Sequence, residues 1–169
     1  MQPDMEEQYD KIYRYCYFKL GNPQLAEDIT QETFLRSLES ERFCLGGRPL
    51  AFLYTVARNL CIDEYRKRKH DQLSEEVLEQ KALEHAFSQE DRLIDSIELR
   101  RAFLELTSRE RELVLLRYVN EVPVGELADL MGVSRFTVYR EIRKILKKLE
   151  RRISDEKKAD HTTRAEGDL

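Results

Sequence analysis

Between positions 132 and 153 the chain carries eight Lys or Arg residues against two acids, a local charge of about +6 at neutral pH. The cations are interleaved with aromatic and hydroxyl side chains: Ser134, Arg135, Phe136, Thr137, Tyr139, Arg140, Arg143 and Lys144 all fall on the side of a helical repeat opposite Val138, Ile142, Ile145, Leu146 and Leu149. Guanidinium and ammonium groups displace counterions from phosphates, while Arg, Thr and Phe can meet base edges. A second basic cluster lies at 58–70, with five Lys or Arg against Asp63 and Glu64, about +3. Between the two, residues 71–98 hold nine acids against Lys81 and Arg92, about −7. Two cationic patches separated by an acidic strap point to two nucleic-acid contacts on one chain, which the net charge of −4 conceals.

Other chemistry finds no support. The chain has no GxSxG, no HExxH and no glycine loop that would cradle a phosphate, so it is not expected to be an enzyme. Cys16, Cys44 and Cys61 share no CxxC spacing, and His70, His85 and His161 complete no metal motif, so neither metal nor cofactor is expected. Cys16 and Cys61 sit among large apolar neighbours and read as small buried hydrophobes. The start of the chain has neither a basic flank nor an apolar stretch, and no apolar run reaches 18 residues. A cytoplasmic protein without membrane insertion is expected.

The elements that position the charged clusters follow from periodicity. Of 169 residues, 41% are apolar and 37% charged, with only six Gly and four Pro, a helix-rich profile long enough for two small domains. Tyr9, Ile12, Tyr13, Cys16, Tyr17 and Leu20 predict a helix over 6–20, ended by Gly21. Asn22 as N-cap and Pro23 at the first helical position open a second helix over 23–39, with Leu25, Ile29, Phe34 and Leu38 inward and Asp28, Gln31, Glu32 and Leu35 outward. The paired glycines at 46 and 47 place a loop before a third helix from Pro49, whose inner face is Phe52, Leu53, Val56, Ala57 and Leu60 and whose other face is Asn59, Asp63, Arg66, Lys67 and His70. Residues 71–92 read as an acidic linker in which Val77, Leu78 and Leu83 form at most a short helical turn. A new unit starts near Leu93, and Thr107 with Glu110 forms a capping box for a helix to about Tyr118. Leu127, Ala128, Met131, the turn at Gly132 and the basic helix after Ser134 fit a helix-turn-helix whose second helix can lie in the major groove. The expected fold is thus all-α: domains at 1–70 and 93–153, a linker at 71–92, and a polar, frayed tail at 154–169.

Two runs narrow the class. AEDITQETF at 26–34 and FLYTVARNLCIDEYR at 52–66 resemble region 2 of bacterial sigma factors of the extracytoplasmic-function type, and the stretch from LTSREREL at 106 through Leu149 resembles their region 4. The resemblance implies a factor that binds core RNA polymerase, recognises a promoter and helps open it for a stress or envelope-response regulon. Asp28, Gln31, Glu32 and Leu35 would dock on the clamp of the β′ subunit, with the β subunit also a partner. Arg42, Phe43 and Arg48 match a loop that receives a flipped base of the minus-ten element. Asn59, Asp63 and Arg66 would contact that element, with Arg58, Lys67, Arg68 and Lys69 on phosphates; Asn59 and Asp63 could instead belong to a buried polar network. Arg135, Phe136, Thr137 and Arg140 would approach base edges of the minus-thirty-five element, and Ser134, Tyr139, Arg143 and Lys144 its phosphates. An anti-sigma factor is a further expected partner. One departure is Phe52, where the family commonly has Trp. Against a response-regulator-like transcription factor, which shares the later motif, stands the absence of any alternating strand pattern in 6–70.

Overall fold

The computed structural model describes residues 4–41, 49–68, 75–89 and 97–167, side chains at 75–76, 85–89 and 165–167 excepted. The sites expected at Arg42, Phe43, Arg48 and Lys69, together with Cys44, His70 and Leu93, lie outside the described residues. Eight α-helices and one π turn account for nearly all of those described, and none of them is in a strand.

Helix α1 (Met5–Leu20) starts at Asp4, whose carboxylate accepts from the Glu6 amide. It stops at Gly21, where φ is +65° and the amide returns to the Tyr17 carbonyl. Asn22 then caps α2 (Pro23–Leu38), accepting from the amides of Gln24 at 2.9 Å and Leu25 at 3.1 Å. The inner face of α2 is unusually polar, and each buried hydroxyl is satisfied within the helix. Thr30 donates to the Ala26 carbonyl, Thr33 to Ile29 and Ser37 to Thr33, at 2.6–2.7 Å, so their burial leaves no open donor. Leu38, expected inward, is 56% exposed; its place in the core is taken by Ser37.

Helix α3 (Pro49–Arg68) packs across α1 and α2. Leu53 and Ala57 are buried as expected, but the face is rolled toward Tyr54, Cys61 and Tyr65, leaving Phe52, Val56 and Leu60 half-buried. The segment expected to be a linker contains α4 (Glu75–Gln89), a full helix seated on α1. Its buried side chains are Ala82, the core residue Leu83, and Glu79, which Lys19 holds at 3.2 Å. Gly21 makes this seat possible, because a Cβ there would stand 2.8 Å from the Ala82 Cα.

Helix α5 (Ile97–Leu104) leads to α6 (Ser108–Val114), whose capping box is formed at both ends: Thr107 Oγ1 accepts from the Glu110 amide, and Glu110 accepts from the Thr107 amide at 2.9 Å. The π turn Leu115–Val119 and a left-handed Glu121 (φ +53°) redirect the chain into α7 (Val124–Met131). Gly132, at φ +68°, turns it into α8 (Arg135–Gly167). Val138, Ile142, Ile145 and Leu149 are buried as expected, whereas Leu146 is exposed. The expected fraying after residue 153 is not found: α8 runs on for 33 residues in all, since nothing from 154 to 166 is Gly or Pro.

The two left-handed glycines separate strain from packing. Gly132→Ala meets nothing within 4 Å, so its cost is the left-handed penalty alone, about 1–2 kcal/mol. Gly21→Ala adds a collision with the α4 backbone. Thermal melts are expected to rank Gly21→Ala well below Gly132→Ala; equal melting temperatures would mean that α4 is not seated on α1.

Candidate nucleic-acid and polymerase interfaces

The face of α8 is built by its neighbours. The Val133 amide donates to Ala128 and the Gly132 amide to Asp129, closing α7. Ser134 Oγ accepts from the Thr137 amide at 3.1 Å, opening α8. With one side of α8 committed to the core, Ser134, Arg135, Phe136, Tyr139, Arg140, Arg143 and Lys144 are all exposed and Thr137 is half-buried. Phe136, at 72%, is the most exposed large apolar side chain described. The Arg140 guanidinium lies over its ring at 5.9 Å, a favourable placement for a cation. Gly125 of α7 has no side chain to fend off Arg135, whose Nη2 lies 2.9 Å from where a Cβ would stand.

On α3, Asn59, Asp63, Arg66 and Lys67 form one exposed face, with Arg66 3.9 Å from Asp63 and Arg68 3.6 Å from Glu64. Their exposure rules out a buried network for Asn59 and Asp63. Arg58 is placed apart from them, half-buried against the second domain. Its Nε is 2.9 Å from Glu112 of α6, and its Nη1 donates to the Leu130 carbonyl of α7 at 3.4 Å.

On α2, Asp28, Gln31 and Leu35 are exposed and Glu32 is half-buried. Gln31 is tied to Glu27 at 3.1 Å and Glu32 to Arg36 at 2.6 Å. Leu35 (59% exposed) and Leu38 give the strip an apolar centre with a polar rim, the usual anatomy of a protein interface. Leu38 belongs to this surface, and inward helical spacing is the reason the sequence hid it.

A third polar assembly has no counterpart in the sequence reading. Glu112 receives the Tyr15 hydroxyl at 2.6 Å as well as Arg58. Arg14 donates to the Val119 carbonyl at 3.0 Å, and Asn120 to the Lys11 carbonyl at 3.3 Å. Glu79 of α4 joins Lys19 to Ser108. Burial pushes the Glu112 carboxyl up, but Lys19, Arg58 and the Tyr15 hydroxyl outweigh it and hold the group below its ordinary range. Beside this assembly, the Cys61 thiol is pushed well up by a hydrogen bond with Cys16 and by burial, which keeps it protonated and unreactive at neutral pH. Both cysteines are buried, as their apolar neighbours implied.

No described helix is long and apolar enough to cross a membrane. The sigma-70 region 2 model matches residues 5–70 and the sigma-70 region 4 model residues 96–149. Over 160 residues the chain is 32% identical to the ECF RNA polymerase sigma factor SigW of Bacillus subtilis, covering 86% of this chain and 84% of that one. It is 34% identical over 155 residues to the ECF sigma factor BldN of Streptomyces coelicolor, of which it spans 58%. A similar fold, at TM-score 0.59 and 16% identity over 87% of this chain and 92% of the other, is that of the sigma factor RpoE solved with the anti-sigma factor NepR from Bartonella quintana. With region 2 and region 4 both matched in order and a relative aligned along most of both chains, the protein belongs to the extracytoplasmic-function sigma factors of RNA polymerase.

Proposed function

We propose that this sigma factor divides its work among the three exposed faces described above. The observation that carries the reading is the segregation on α8, where a cationic and aromatic face stands out from the domain while every fourth or third residue behind it is buried. The α2 strip around Leu35 seats the chain on the polymerase clamp. Asn59, Asp63 and Arg66 meet the minus-ten element, with Lys67 and Arg68 on its phosphates and Arg58 joining them once freed from Glu112. The first turns of α8 read the minus-thirty-five element. Bond-making belongs to the polymerase, and the chain itself catalyses nothing. It works in the cytoplasm, and its solved fold relative, captured with an anti-sigma factor, supports a comparable inhibitory partner here.

Phe136 sharpens the upstream reading. The thymine methyl is the apolar group on the major-groove edge of a base pair, and an aromatic ring held out to solvent beside a guanidinium is suited to cover it. Removing that methyl by replacing dT with deoxyuridine in the upstream element is expected to weaken binding of the polymerase complex about fourfold, the size of one buried methyl. In Phe136→Ala the two DNAs should bind alike. If the variant still prefers thymine as wild type does, another side chain covers the methyl.

For the polymerase face, Leu35→Asp and Asp28→Lys place charge at an exposed surface and should leave the fold intact while lowering recovery of core enzyme in a pull-down by tenfold or more, about 1.4 kcal/mol. Wild-type recovery by both would remove α2 from the interface. Asn59→Ala, also exposed, is expected to bind promoter with core but to open it slowly, seen as reduced permanganate reactivity of thymines near the start site. Normal reactivity would take Asn59 off the minus-ten face.

A further inference from the structure

Gly125 is a glycine that its own backbone does not require. It lies inside α7, and among the described residues only Gly21 and Gly132 are glycines with positive φ. In a helix, glycine is the poorest former apart from proline, so the reason for it lies in what stands beside it. The three heavy atoms nearest to where its Cβ would be all belong to one guanidinium: Nη2 of Arg135 at 2.9 Å, with Cζ and Nε each at 3.3 Å. Three atoms of one plane at such even distances mean that the group is laid alongside α7 rather than aimed at it end-on. A side chain at position 125 would take that seat.

The seat decides what Arg135 can meet. The resemblance to sigma factors set this residue at base edges, beside Phe136, Thr137 and Arg140. In a helix-turn-helix, however, the second helix enters the major groove while the first crosses the sugar–phosphate backbone, and the Arg135 guanidinium rests on the first turn of that first helix. Arg140 takes another direction: its guanidinium lies over the Phe136 ring, along α8 itself. The two arginines thus part, one toward the helix that crosses the backbone and the other along the helix that reads. Arg117 of the π turn lines the same cleft as Gly125 and Arg135, and so do Glu121 and Glu126. Two cations against two acids leave the cleft without net charge, so it does not gather free phosphate. Arg135 acts on a backbone that the docked α8 brings to it.

We propose that Gly125 is a positioning residue for DNA binding: by carrying no side chain it seats Arg135 against α7, where the guanidinium holds a phosphate of the upstream element, and base selection is left to Phe136 and the residues beyond it. This role of Gly125 rests on α8 as the reader of that element. A phosphate contact marks affinity and salt dependence without altering base preference, whereas a base contact changes the preference at one position.

Core polymerase carrying the full chain first selects from duplexes randomised over the upstream element, and the duplex selected by wild type is then titrated by anisotropy over a range of salt. Arg135→Ala should bind that duplex several-fold more weakly, with a log–log salt slope smaller by about one, yet select the same bases as wild type. Arg135→Lys should keep the slope, since a phosphate accepts a point charge as well as a fork. Gly125→Ala and Gly125→Leu should each lose the slope that Arg135→Ala loses, and neither should change anything further in the Arg135→Ala background. Gly125→Ala, which introduces a better helix former, should melt no lower than wild type, so its loss of slope is not a loss of fold. A changed preference at one base pair in Arg135→Ala would overturn the phosphate role and return Arg135 to base reading. Wild-type slopes in both Gly125 variants would overturn the seat. Phe136→Ala tests the underlying reading: wild-type selection and affinity there would mean that α8 is not the reader. Altered selection in Phe136→Ala with a wild-type slope in Arg135→Ala would remove the Arg135 contact alone.

Discussion

A single carboxylate sets the terms for the whole molecule. Glu112 is carried by a short helix of the second domain into a niche between α1 and α3 of the first, where burial by itself pushes its carboxyl up. It stays ionised because Tyr15, Lys19 and Arg58 converge on it, and convergence from two helices requires α1 and α3 to keep their register. The apolar residues of the two halves belong to one continuous buried cluster, from Ile12 and Leu53 to Leu116 and Val122, and the Glu112 assembly is a polar group set beside it.

Where local rules govern, the sequence was legible. Asn22 with Pro23, Gly21, the Thr107–Glu110 box and the Gly132 turn are decided by residues within four positions of one another, and each appears as read. The face of α8 was legible for the same reason, since Val138, Ile142, Ile145 and Leu149 leave one side free. What escaped depends on partners far along the chain. Helix α4 has too few large apolar residues to announce itself; it is held by an ion pair to a residue 60 positions away and by the absence of a Cβ at Gly21. Leu38 fits the inward spacing of α2, but three hydroxyls that satisfy their own helix carbonyls can fill the core instead. Arg58 sits in a basic run that suggests solvent and DNA, and only the fold brings Glu112 to it, 54 positions on.

The exposed faces share a logic. Each is a helix whose other side is fully committed to packing, so its surface side chains are fixed in spacing by the backbone rather than by one another. On α2 the result is a leucine pair rimmed by amides and acids; on α3, a carboxamide, a carboxylate and two cations; on α8, aromatic rings among guanidinium groups. Three chemically distinct surfaces on one small helical scaffold suit a protein that must engage a polypeptide, a melted strand and a duplex together.

The length of α8 has a mechanical consequence. Its 33 residues form a rod roughly 50 Å long, in which Ile153 and Glu156 are the last half-buried side chains described and residues 157–164 are exposed. A small rotation of the second domain about the π turn is therefore magnified along the rod: a turn of 20° moves its far end by roughly 17 Å over that length. Any reorientation of the second domain is therefore largest at the distal third of α8.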